Sequence, residues 1–263
     1  GDVYLTQGDT ISLRSKYTAY DGNKQTALAE GNVILTEPKT TLQTDRIYFD
    51  RVKQQAYYNT GGIVKDSSST LKSKVGRYYT ETKVYQFVDK VEINNAEYHL
   101  ESDRLDFHSE TGDAYLYGNS TITSEASKIY SERGFYQTRH NTGYFVKNTR
   151  IEFEDRIMYG DSVYFDRNRN FASASNNIRV YDSINQSKAV GHYAEIHQDK
   201  ELLILTKNPI VSYKQENDSL HINADSIIVK GPEKLRIVNA YPDARFIRTD
   251  ILGKEEPISG KAD

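Results

Sequence analysis

Cysteine and tryptophan are absent from this 263-residue chain, and methionine occurs once. Without cysteine there are no disulfides and no thiolate metal sites, although that absence does not identify a compartment. No stretch approaches about 18 consecutive apolar residues, so no helix spans a membrane. The net charge of −3 lacks the basic surplus that nucleic-acid binding draws on, so no nucleic-acid partner is expected. Sequence signatures of common catalysts are missing as well: there is no GxSxG elbow, no P-loop and no GxGxxG. Apolar residues make up 37% of the chain, yet disorder is not expected. The chain carries 21 Tyr and 9 Phe against 5 Pro, and its charges are mixed rather than blocked. It begins with Gly1 rather than Met and shows no signal peptide, as expected of a processed or trimmed chain.

What the chain does have is a period. The run Asp45-Arg46-Ile47-Tyr48-Phe49-Asp50 returns as Asp103-Arg104-Leu105-Asp106-Phe107, as Asp161-Ser162-Val163-Tyr164-Phe165-Asp166 and as Asp225-Ser226-Ile227-Ile228-Val229. Weaker copies halfway between place Lys16, Lys74, Glu132 and His192 at the Asp position, so the step is 29 residues and stretches near residues 185 to 210. A fixed period of this size marks one supersecondary unit stacked on itself, here about eight times. The unbroken repeat predicts one domain over 1–250, followed by a frayed tail over 251–263.

Folding the sequence on this period produces files of equivalent residues. Four are apolar over nearly their whole length, and they begin at Leu13, Tyr20, Ala29 and Leu35. Apolar residues within one unit stand two apart, as at 47 and 49 or 33 and 35, with polar residues between. That is the period of a half-buried strand, and the β-branched and aromatic content agrees. Each unit therefore supplies roughly two strands with one apolar face, which predicts an all-β, elongated, antiparallel two-sheet stack. Ser15, Thr44, Ser73, Ser102, Ser131, Gly160, Gly191 and Ala224 form a file of small residues where the inward parity switches, and a β-bulge is expected there. Asn32, Gly61, Lys90, Asn119, Asn148, Asn177 and Asn208 form a turn-former file, expected at a sharp corner.

The repeated Asp is the most tempting catalytic or Ca²⁺-binding group. A catalytic pair occurs once, however, whereas this position recurs in every unit and alternates with Lys at the start of the series. It reads better as a surface ladder pairing across strands. The six histidines show no metal-ligand spacing, so no metal or other cofactor is expected. Tyrosines interleaved with Lys and Arg hint at carbohydrate or nucleic-acid stacking, but they are expected mostly in the apolar files as core or groove lining. Continuous apolar files suit either a long trough for acyl chains or a tightly packed sandwich core, and the pattern alone leaves both open.

The run Ala29-Glu30-Gly31-Asn32-Val33-Ile34-Leu35, then Leu42-Gln43-Thr44-Asp45-Arg46-Ile47-Tyr48-Phe49-Asp50, then Ala56-Tyr57-Tyr58, resembles the OstA-like family of periplasmic lipopolysaccharide-transport proteins, typified by LptA and the N-terminal domain of LptD. The resemblance returns in weaker form from Val88 to Leu116 and covers about residues 3 to 246. It implies a β-jelly roll folded like a taco, with a hydrophobic groove that shelters lipid A acyl chains and end-to-end joining through terminal edge strands. The implied partners are lipopolysaccharide and other jelly-roll transport proteins or further copies of the chain, the implied compartment is the periplasm, and no catalysis is implied. The groove lining expected on this basis is Leu42, Phe49, Leu71, Tyr78, Phe87, Ile93, Leu100, Phe107, Leu116, Ile122, Ile129, Tyr136, Phe145, Ile151 and Phe165. The competing readings are an extracellular β-solenoid with an adhesive, structural or polysaccharide-binding role, and a solenoid enzyme acting on polysaccharide.

Overall fold

The structure, a computed structural model, describes residues 2–7, 11–125, 127–153, 156–184, 186–231, 237–250 and 252–258. The chain divides into two compact units: Gly1–Glu125 with Arg133–Arg139, and Ala126–Glu132 with His140–Asp263. Both are built almost wholly of antiparallel strands, and two single-turn 3₁₀ segments, Arg167–Arg169 and Gln198–Lys200, are the helical elements among the described residues.

In the first unit, β1 (Val3–Gln7), β2 (Ile11–Ser15) and β3 (Tyr17–Asp21) precede two long strands, β4 (Thr26–Thr36) and β5 (Thr41–Asp50). Next come four short strands, β6 (Gln55–Tyr58), β7 (Gly62–Lys65), β8 (Ser69–Ser73) and β9 (Val75–Tyr79). Long strands return as β10 (Val84–Asn95), β11 (Tyr98–His108) and β12 (Asp113–Ser124), while β13 (Ser127–Gln137) contributes to both units. The pairing has two arms. Along the first arm β5, β6, β9 and β10 follow one another, and along the second β5, β7, β8 and β10 do. Each long strand runs through both arms, so the two sheets read from the sequence are the walls of one sheet folded along a crease.

The second unit repeats the plan. Its long strands are β14 (Thr142–Phe153), β15 (Arg156–Asp166), β16 (Phe171–Asp182) and β17 (Ser187–His197). Beyond them one arm continues through β18 (Leu202–Thr206), β21 (Ser226–Lys230) and β22 (Ile237–Tyr241). The other continues through β19 (Ile210–Lys214), β20 (Asp218–Asn223), β23 (Arg245–Asp250) and β24 (Glu255–Pro257). β24 thus pairs within the segment expected to fray, while residues 251 and 259–263 of that segment lie outside the described ones.

The crease is a line of β-bulges. Glu30 pairs with Arg46 and Val33 with Thr44, which leaves Gly31 and Asn32 opposite the single residue Asp45. The same two-against-one shift sets Asp89 and Lys90 opposite Asp103, Lys147 and Asn148 opposite Asp161, and Asn176 and Asn177 opposite His192. The bulged pairs adopt left-handed backbone: φ is 82° and 51° at Gly31 and Asn32, 71° and 55° at Lys147 and Asn148, and 61° and 51° at Asn176 and Asn177. The bulge therefore lies in the turn-former file and not, as expected, in the small-residue file on the facing strand. An extra residue must sit on the outside of a sharp bend, and only residues tolerant of left-handed backbone accept that place.

The small file does a different job. Four of its hydroxyls donate to the carbonyl two residues on: Ser15 to Tyr17 (3.1 Å), Thr44 to Arg46 (3.4 Å), Ser73 to Val75 (3.0 Å) and Ser102 to Arg104 (3.0 Å), while Thr44 also donates across to the Gly61 carbonyl (2.7 Å) and Ser131 to that of Val146 (2.9 Å). These are carbonyls on the corner, where the ladder is interrupted and a buried acceptor would otherwise cost free energy. The Asp file latches the outside of the same bend. Asp103 accepts the Asn119 backbone N–H at 2.8 Å, and Asp161 accepts the Asn177 amide at 2.7 Å. Lys74 pairs with Asp89 in the bulge at 3.0 Å, so at these positions contacts across the bulge take the place of the expected charge ladder along the file.

These contacts separate two glycine substitutions. Gly61 has φ +86° with nothing within 4 Å of an added Cβ, so Gly61→Ala should cost about 1 kcal/mol of backbone strain. At Gly118, φ +76°, the added Cβ would strike the Asp103 carboxylate, so Gly118→Ala should cost at least twice as much. Urea unfolding measures both, and equal costs would contradict the Asp103 latch.

Candidate functional site

The concave side of the creased sheet is graded in burial. Next to the crease three files are fully buried: one from Ala29 through Tyr58, Phe87 and Leu116, one from Val33 through Val91 and Ser120, and one from Ile47 through Leu105. In the second unit Phe145 and Ala174, Thr149 and Ile178, and Val163 and Ala194 are buried at the equivalent repeat positions. Two residues farther out along each arm burial falls. Leu35, Val64, Ile93 and Ile122 are half-buried, as are Leu13, Leu42 and Leu71. On the first arm Tyr78 and Phe107 are half-buried, and Phe49 is 37% exposed. A closed sandwich would bury the middle of each wall as deeply as its corner. In the first unit the walls are less covered toward their free ends than at the crease, apart from Leu100, while in the second unit Met158, Val211 and Ile222 are buried at the same level of the wall.

The expected lining residues all fall on the concave side, at different depths. In the first unit Phe87 and Leu116 are buried on the floor and Leu100 is buried on the wall between Ile93 and Ile122, while Leu42, Leu71, Tyr78, Ile93, Phe107, Ile122 and Tyr136 line the walls half-buried. Phe49 stands at the lip. In the second unit Phe145 is buried, and Ile129, Ile151 and Phe165 are half-buried. The Ile47 and Val33 files also face this side but are not continuously apolar, since Gly76 and Gly134 interrupt one, and Gly62, Ser120 and Thr149 the other. Those interruptions have a packing reason. A Cβ at Gly62 or Gly76 would fall inside the Tyr58 ring, which lies across both glycines with its hydroxyl 2.7 Å from Ser73 Oγ. Burial pushes the Tyr58 hydroxyl pKa up, and the Ser73 hydrogen bond only partly offsets this.

The two walls differ in chemistry. The second arm is aliphatic throughout its half-buried zone, from Leu35 and Leu42 to Ile122. On the first arm large rings alternate with small residues across the strands: Phe49 between Ala27 and Ala56, Phe165 between Gly143 and Ala172. The Phe165 ring occupies the place a Gly143 side chain would take, so rings lie flat on their small neighbours. Neither wall carries a charged residue in these files.

Many tyrosines lie on the outer face, which corrects the expectation that they sit mostly in the apolar files. Tyr48 stacks on Tyr57 at 4.9 Å, and Arg104 covers Tyr117 at 5.0 Å, as Arg179 covers Tyr159 at 5.1 Å. Strand alternation puts these residues opposite the trough side, where aromatic and cationic neighbours stabilise an exposed sheet surface.

Depth in the trough predicts stability cost. Leu116, 1% exposed, should lose about 2–5 kcal/mol on truncation to Ala. Ile122→Ala on the open wall should lose less than about 2 kcal/mol, because part of its side chain already faces water. Denaturant titration of both variants checks this, and equal losses would mean that the walls are packed shut.

Comparison with known proteins finds a solved structure and a family model similar to part of the chain. No curated protein matches it. Among solved structures, LptH, described as the LptA homologous periplasmic component of the conserved lipopolysaccharide transport device from Pseudomonas aeruginosa, matches with 11% identity and a TM-score of 0.35. That match covers 38% of this chain and 76% of LptH. The family model described as OstA-like protein matches residues 1–103, a stretch that includes the Ala29–Leu35 and Leu42–Asp50 runs. Over those residues the chain is similar to that family.

Proposed function

We propose that the protein binds lipopolysaccharide in the periplasm and passes it on, sheltering the acyl chains in the trough of the creased sheet. The observation that carries this reading is the graded burial of uncharged files on the concave side of the first unit, from Leu116 at 1% exposed to Phe49 at 37% and Tyr20 at 62%. An apolar wall left half in water gains free energy when a chain covers it, about 0.8 kcal/mol per methylene buried. The OstA-like match over residues 1–103 supports the same reading. The activity is conveyance, and no residue is assigned a catalytic role.

Strand edges supply the means of joining. Among the described residues β3 pairs only with β4, and β22 only with β21, so each has a side free to accept a further strand. Tyr17 and Tyr20 on β3, and Ile237 and Tyr241 on β22, are exposed. End-to-end pairing with transport proteins of the same fold, or with further copies of the chain, would cover them.

Photo-crosslinking tests the reading. A benzophenone side chain at Phe107 or Ile122 should capture lipopolysaccharide, while the outward neighbours Asp106 and Thr121 should capture none. Capture at neither trough position in a folded protein would exclude transport through the trough. Capture at the outward positions alone would favour polysaccharide binding on the outer face.

A further inference from the structure

One coil of the first unit breaks the pattern of its wall. The file that holds Ala27, Ala56, Ala114, Gly143 and Ala172 holds Tyr85 on β10. Everywhere else in this run a ring has small neighbours to lie on. Tyr85 instead stands directly between two rings, paired with Tyr78 on one side and Phe107 on the other. With no Ala or Gly to cover, it stacks on Tyr78 at 4.3 Å with 20° between the planes. Toward the crease Phe87 continues the stack at 6.2 Å. The floor beside it is filled by Tyr58, whose ring lies over Gly62 and Gly76. Burial pushes the Tyr85 hydroxyl pKa up strongly, and the Glu37 carboxylate adds to the shift. Glu37 follows Thr36, the last residue of β4 on the second arm, so a side chain rooted in the first wall feels a charge at the lip of the other.

We propose that Tyr85 is a specificity-determining constriction that narrows the trough of the first unit at β9–β10 and limits how much of a linear acyl chain can lie along it. The inference rests on the trough reading above. A chain seated on the aliphatic wall from Leu42 to Leu71 meets the stacked rings before it reaches Ile93 and Ile122. Its terminal methylenes then stay in water or require the Tyr78–Tyr85 stack to open. Replacing the ring with the small residue found elsewhere in the file removes the obstacle without touching the aliphatic wall.

Uptake of cis-parinaric acid, an 18-carbon conjugated acyl probe, by the full chain tests this. Tyr85→Ala should bind the probe about tenfold more tightly than wild type, equal to roughly two further methylenes covered. Tyr85→Phe should bind as wild type does, because the ring and not the hydroxyl narrows the trough. Tyr85→Leu uses the residue that the same file holds at Leu203, and should fall between the two should the alanine variant fold poorly. Binding by Tyr85→Ala and Tyr85→Leu that equals or falls below wild type overturns the constriction. Ile122→Asp separates the two claims: if it abolishes uptake while the Tyr85 variants gain nothing, the trough stands and the constriction fails. If wild type and all variants take up no probe, both claims fail together.

Discussion

Everything in this fold depends on bending a hydrogen-bonded sheet sharply along one line. A sheet bent this far loses ladder bonds at the corner, and each carbonyl exposed there must find another donor. The chain meets the demand twice per unit, from opposite sides. On the inner strand a small hydroxyl, as at Ser73 or Ser102, turns back to the carbonyl two residues on. On the outer strand a left-handed pair such as Lys147 and Asn148 adds the residue that the longer path requires. Outside that pair an acidic side chain fastens the bulge, as Asp103 does for Asn119. After Ser131 the inner file becomes Gly160, Gly191 and Ala224, where small size remains and the hydroxyl is gone.

The bend explains the burial gradient, and the gradient explains the proposed use. Side chains on the inside of a corner crowd one another, so Ala29, Val33 and Ile47 form a sealed cluster with Leu13, Leu35 and Leu42 packed against it. Farther along the arms of the first unit most of the same apolar pattern, Leu100 excepted, is only half-buried. A sequence that alternates apolar and polar residues to the ends of both arms therefore leaves apolar side chains half-buried there. The aromatic wall stays low where each ring can lie on Ala or Gly. It rises at Tyr85, where its neighbours are Tyr78 and Phe107.

Much of the architecture was legible because the period is exact over most of the chain. Files such as Leu42, Leu71 and Leu100 identify the inward face without any local prediction, and Asn32, Asn148 and Asn177 mark the corner. The location of the bulge was not legible. Two files, one of small residues and one of turn formers, both suit a bend, and only the register shows which strand carries the extra residue. Depth within the trough was not legible either, since Leu116 and Ile122 are equally apolar and differ only in distance from the crease. The outward tyrosines were misplaced because an aromatic residue on a strand is compatible with either face, and Tyr48 lies between the inward Ile47 and Phe49. The floor files were hidden by glycines whose role appears only once the Tyr58 ring is seen lying over them.

The central claim is an apolar wall open to water in the empty protein and covered by lipid in the loaded one. The chain lacks cysteine, so single-cysteine variants at Leu116, Ile93, Ile122 and Thr121 can report on it without background. The rate of thiol labelling by a small aqueous maleimide, with and without lipopolysaccharide, is the direct measurement. The account predicts labelling at Ile93 and Ile122 well above Leu116 in the empty protein, suppressed by lipopolysaccharide while Thr121 is unaffected. Labelling at Ile93 and Ile122 as slow as at Leu116, or unchanged by the lipid, would contradict it.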